Sequence, residues 1–147
     1  MAEPREVSIL LVEDDPGHAR LIEKNLRRSG ITNKLVTAGD GQLALDYLHG
    51  AGDFAGNKAA SPLLVLLDLN LPVLNGYQVL ERMKADERLK RIPVIILTTT
   101  DDTREVERCY DLGCNVYITK PVDYHDFSDA IRKIGLFLSV VTIPNGE

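Results

Sequence analysis

The chain has 147 residues, 44% of them hydrophobic and 27% charged, with 22 acidic against 17 basic side chains and a net charge of −5. That length suits one domain burying roughly 68–70% of its unfolded surface, so neither a disulfide nor a metal prop is needed. The acidic balance argues against nucleic-acid partners, whose affinity comes from Lys and Arg displacing counterions; with no apolar signal core in residues 1–6 and no run near the ~20 apolar residues of a membrane span, a cytoplasmic protein is expected.

In chain order, the aliphatic run Val7–Val12 predicts a strand that ends in Glu13-Asp14-Asp15. Ala19, Leu21, Ile22 and Leu26 then recur at helical spacing, with Asp15 as N-cap, Pro16 at the first helical position and Gly30 as the C′ residue. Asn33–Ala38 reads as a second strand, and Leu43, Ala44 and Leu48 mark a second helix. Gly50 to Pro62 is a long polar connection, read as a surface loop. Leu63–Leu67 predicts a third strand with Asp68 at its end; Tyr77, Val79, Leu80 and Met83 mark the third helix. Lys84 to Arg91 is basic but interleaved with Asp86 and Glu87, which reads as a solvated helix end and loop.

Val94–Thr98 and Val116–Thr119 predict the last two strands, the second followed by Lys120. Between them a helix should run from Thr103 to Leu112, closed by Gly113, and a fifth helix from Tyr124 to about Leu138. The two cysteines, Cys109 and Cys114, match neither a CxxC redox motif nor a zinc pair, and read as reduced, half-buried thiols. His18, His49 and His125 are scattered and read as surface residues. Strands separated by helices require right-handed crossovers, hence a parallel sheet covered on both faces. The expectation is a doubly wound, flavodoxin-like α/β fold of five strands in the order 2-1-3-4-5, whose switch point lies between strands one and three.

Those are the two strands that end in carboxylates. Ligands of open α/β sheets bind outside the carboxyl ends of the strands, and four such ends carry polar groups: Glu13 and Asp14, Asp68, Thr98, and Lys120. Each alone has a plain explanation as a cap, a loop partner or a surface charge, but their convergence does not. Crowded carboxylates raise a pKa or recruit a hard cation, and oxygen donors select Mg²⁺ or Ca²⁺ over zinc. A carboxylate, a divalent cation, a hydroxyl and an ammonium are the parts of a phosphoryl-transfer site. Asp68 is the candidate phosphoacceptor.

Glu13-Asp14, Asp68 within Leu-Leu-Asp-Leu-Asn-Leu-Pro followed by Asn75-Gly76, Thr98 at a strand end, and Tyr117 ahead of Lys120-Pro121 together resemble the receiver domains of two-component response regulators. The resemblance covers nearly the whole chain. It implies a signalling protein rather than an enzyme, in which Asp68 accepts a phosphoryl group from a sensor histidine kinase. It further implies that Asp14, Asp68 and the Asn70 carbonyl hold Mg²⁺, with Glu13 helping through a water. Lys120 would pair with the phosphate, Thr98 and Tyr117 would move together as a switch, and the Lys120-Pro121 bond would be cis. Asn70 and Thr100 stand where phosphate lifetime is tuned.

Residues 1–139 are thus expected to form the receiver and 140–147 a tail without an effector domain, so that output is a contact with another protein. The long loop before the third strand and the tail Val-Thr-Ile-Pro are also similar to receivers that partner bacterial phytochrome kinases. The β-branched arm Val140 to Ile143 either folds back on its own domain or packs on a second copy; the homodimer is the favoured reading. Two other classes compete. A haloacid-dehalogenase-type phosphatase shares the strand-end Asp, Mg²⁺ and Lys, but needs a second Asp where Asn70 stands. A flavin or dinucleotide module fails at the first turn, where Glu13-Asp14-Asp15-Pro16 would repel a phosphate.

Overall fold

The computed structural model describes residues 7–50, 61–121 and 123–133. Strands and helices alternate along the chain: β1 (Val7–Val12), α1 (Pro16–Arg28), β2 (Lys34–Ala38), α2 (Gly41–His49), β3 (Ser61–Leu67), α3 (Gly76–Lys84), β4 (Val94–Thr98), α4 (Thr103–Leu112), β5 (Val116–Thr119) and α5 (Tyr124–Lys133). The sheet is parallel in the order β2-β1-β3-β4-β5, as the five-fold alternation predicts.

Side chains of a strand alternate between its two faces, and here both faces are covered. Leu10, Val12, Val65, Leu67 and Ile96 pack under α2, α3 and α4, against Leu45, Leu80, Met83 and Cys109. Ile9, Leu11, Leu64, Leu66, Ile95 and Leu97 pack under α1 and α5, against Ile22, Leu26 and Phe127. This double burial is why the inner strands β1, β3 and β4 read as aliphatic runs. Phe127 is 1% exposed, a burial worth about 1.5–3 kcal/mol.

The helix ends follow their sequence signals. Asp15 caps α1 by accepting from the amides of Gly17 and His18, with Pro16 at the first position, and Gly30 follows the C-cap Ser29 with φ +94°. Asn75 and Gln78 form a reciprocal capping box on α3. Gly113 closes α4 at φ +109°.

Four details differ from the sequence reading. β2 starts at Lys34 rather than Asn33, because the Asn33 carbonyl accepts a 2.6 Å bond from the Arg27 guanidinium in place of a ladder partner. β3 starts earlier, at Ser61; pairing shifts by one residue between Ser8 and Ile9, so Leu63 has no counterpart on β1 and pairing continues past Pro62. Cys109 and Cys114 are free but buried instead of half-buried, and burial pushes their thiols up to about 11 and 12. Lys84 is not a solvated charge: its ammonium donates to the Lys90 carbonyl at 3.0 Å, and burial pushes its pKa down. The loop at 51–60, the end of the fifth helix beyond Lys133 and the tail at 140–147 lie outside the described residues. Among the described residues no helix is long and apolar enough to cross a membrane.

Candidate functional site

The switch point puts β1 and β3 side by side with Val12 opposite Leu67, so the residues that follow, Glu13 and Asp68, leave the sheet together. Their backbones stay pinned by continued pairing, the Asp68 amide to the Val12 carbonyl at 3.1 Å and the Glu13 amide to the Ala38 carbonyl at 3.0 Å. Glu13 and Asp68 are buried, whereas Asp14 is exposed. A carboxylate oxygen from each of the three lies within 4.8 Å of the others.

Lys120 enters from the far side of the sheet. Its amide donates to the Thr98 carbonyl at 2.6 Å, extending the β4–β5 pairing by one bond, and the Lys120-Pro121 peptide is cis. Its ammonium donates to Glu13 Oε1, to Asp68 Oδ2 at 3.0 Å and to His18 Nδ1 at 3.2 Å. With 8% of the side chain exposed, Lys120 is no surface charge. Burial alone would lower its pKa, but the hydrogen bonds and charges of Glu13 and Asp68 outweigh it and the net direction is up. Burial pushes Glu13 up, only partly opposed by Lys120. Asp68 Oδ1 accepts from the Asn70 amide at 3.2 Å, so its two oxygens have different partners.

Thr98, at the end of the interior strand β4, is 0% exposed, and its hydroxyl has no hydrogen-bond partner among the described residues. Tyr117 does not reach Thr98 itself; its hydroxyl donates to the Thr100 carbonyl at 2.6 Å, two residues further on. Burial and neighbouring acidic groups push that phenol up to about 12. Asn70 and Thr100 line one cavity of about 220 Å³ with Tyr77 and Glu105.

Two features of the site are not evident in the sequence pattern. The β3–α3 loop is held by glycines whose missing side chains permit backbone contact. A Cβ on Gly76 would lie 2.3 Å from the Asp68 carbonyl oxygen, and one on Gly41 would lie 2.1 Å from the Leu74 carbonyl oxygen. Asn75-Gly76 is visible as a turn pair; Gly41 becomes visible only when α2 meets this loop. Within the loop Val73 has φ +68° and the Leu74 amide donates back to the Pro72 carbonyl at 2.8 Å, a strained γ-turn centred on a β-branched residue that is 74% exposed. The other feature is His18. It is exposed, as the scattered histidines predict, yet its ring touches Lys120 and stands 3.9 Å from Glu13.

A response regulator receiver domain model matches residues 9–132. The chain belongs to the response regulator receiver family. This receiver is 39% identical to the response regulator Rcp1 of Synechocystis sp. over 92% of each chain. The Mn²⁺-bound form of Rcp1 superposes with a TM-score of 0.72 at 38% identity, covering 88% of this receiver and 92% of that chain. The bacteriophytochrome response regulator RtBRR gives 0.80 at 41% identity, covering 87% and 77%. A receiver domain from Rhodospirillum rubrum gives 0.71 at 54% identity, covering 95% and 99%. These relatives are response regulators, and the phosphatase reading finds no support among them. Receivers are signalling proteins whose acidic pocket takes a divalent metal, and the oxygen-only set of Glu13, Asp14 and Asp68 fits a hard cation.

Proposed function

We propose that this receiver accepts a phosphoryl group on Asp68 from the phosphohistidine of a sensor histidine kinase and signals through protein contacts that depend on it. The observation that carries the reading is the placement of Asp68: buried, one oxygen held by the Asn70 amide, the other by the ammonium of Lys120, and beside two further carboxylates. A carboxylate oxygen would attack phosphorus as the phosphorus–nitrogen bond breaks, and the electron pair leaves with the imidazole. Lys120, already within hydrogen-bond reach of Asp68, would donate hydrogen bonds to phosphoryl oxygens while keeping its charge. The hydroxyl of Thr98, without a partner among the described residues, is a second donor for them. Mg²⁺, held by Asp14, Asp68 and the Asn70 carbonyl with Glu13 assisting, would neutralise the charge that develops. Tyr117 would report the event, since its hydroxyl is bound to the backbone two residues beyond Thr98.

The similarity to RtBRR supports a bacterial phytochrome kinase as the partner. Residues 1–139 would be the receiver, working in the cytoplasm, and 140–147 an arm that pairs two copies. The net charge of −5 supports no role for nucleic acid. Phosphotransfer profiling tests the reading. An autophosphorylated phytochrome kinase should transfer its label to this receiver in seconds to minutes, faster than unrelated kinases do; equal transfer from all kinases would contradict the phytochrome assignment.

A further inference from the structure

We propose that His18 is a positioning residue for Lys120, its imidazole taking the third hydrogen bond of the ammonium and holding it over Asp68. This rests on the reading of Lys120 as the donor to the phosphoryl oxygens. An ammonium has three donors and no acceptor. Here they go to Glu13 Oε1, Asp68 Oδ2 and His18 Nδ1, so all three are used. Because Lys120 can only donate, Nδ1 carries the lone pair and the ring proton sits on Nε2.

The histidine is well placed to be fixed. Its backbone belongs to the first turn of α1, where the Asp15 carboxylate binds the amides of Gly17 and His18 at 2.8 and 3.1 Å. His18 and Lys120 line one cavity of about 230 Å³ together with Leu21, Ile22, Thr99 and Pro121. The histidine side chain is 48% exposed, so it contributes little to the core. Without the third bond the ammonium, on a flexible four-carbon stem, would be held by the two carboxylates alone and less narrowly oriented toward Asp68. The contact is therefore a polar one aimed at the reacting pair.

Two substitutions separate hydrogen bonding from shielding. His18→Phe keeps a ring and removes the acceptor, whereas His18→Asn places an oxygen close to where Nδ1 stands. With acetyl phosphate and saturating Mg²⁺, His18→Phe should lower the maximal rate of phosphorylation about 3- to 10-fold without raising KM, the range an ordinary net hydrogen bond spans, and His18→Asn should stay within about twofold of the natural protein. In the metal-free, unphosphorylated protein the Lys120 ammonium resonance should be slowly exchanging with His18 or Asn and broadened with Phe. A Phe variant with an unchanged rate and an unchanged ammonium resonance overturns the proposal. A natural protein that takes no phosphoryl group from any donor overturns the reading of Asp68, and the ammonium resonance then decides the role of His18 by itself.

Discussion

The ammonium of Lys120 meets the carboxylate of Asp68 at 3.0 Å across the intervening strand β4, so one ion pair ties the ends of β3 and β5 together at the centre of the candidate site. The same ammonium pairs with the buried carboxylate of Glu13. Replacing Lys120 by Met leaves two buried carboxylates facing each other without a cation. Breaking such a pair from one side costs about 1–3 kcal/mol, discounted from the fully buried case because the exposed Asp14 edge admits water. Urea unfolding in EDTA should show that loss. Mg²⁺ should restore part of it, since a cation bound among the carboxylates replaces the missing charge.

Thr98 presents the opposite case, a buried polar group with nothing to pair with among the described residues. Thr98→Val removes the hydroxyl at nearly constant shape, so the unphosphorylated protein should gain about 1 kcal/mol in stability. The same variant should lose the response of the Tyr117 resonances to phosphorylation. If Tyr117 still shifts as in the natural protein, the path from the site to the β5 face bypasses Thr98.

The loop that carries Asn70 is strained at Val73 and wedged against Gly41. Gly41→Ala would place a methyl group 2.1 Å from the Leu74 carbonyl oxygen, a backbone atom that cannot yield without moving the loop. The expected cost is about 1–3 kcal/mol, accompanied by weaker Mg²⁺ binding as the Asn70 carbonyl is displaced. Urea unfolding and a Mg²⁺ titration followed by NMR check both; a stable variant with undiminished metal affinity would show that the loop adapts.

Most of the fold is written in the sequence because the inner strands are buried on both faces, and double burial leaves no alternation to misread: Val94–Thr98 is buried throughout and is found at the ends the pattern gives it, as is the edge strand Val116–Thr119, where burial alternates. Asp68 and Lys120 are legible for the complementary reason, as charged groups that interrupt or close such runs. Gly41 and His18 are not legible. Each acts through a contact with a distant segment, Leu74 for one and Lys120 for the other, and neither local pattern nor spacing encodes that contact. The left-handed backbone of Val73 is hidden because sequence preference there points to glycine or asparagine.

Cys109 and Cys114 give the protein a pH dependence of known sign. Burial raises both thiols, to about 11 and 12, from the unfolded value of 9.0. A raised pKa means the folded state holds its proton where the unfolded state releases it. This contribution is fully present below pH 9 and is lost as pH rises through 11 and 12, at up to about 1.4 kcal/mol per pH unit for each group. Urea midpoints should therefore fall steeply above pH 9, and substitution of both cysteines by Ala should flatten that decline. In the native state at pH 8 neither thiol should react with a bulky disulfide reagent, whereas both should react in urea.

The central claim is that Asp68 is the phosphoacceptor. The most direct test is the intact mass of the protein after incubation with acetyl phosphate and Mg²⁺, with and without Asp68→Asn. The natural protein should gain one phosphoryl group that hydroxylamine removes, and the variant, which keeps the shape of the site and loses the nucleophile, should gain none. Undiminished phosphorylation of the Asp68→Asn protein would contradict the account.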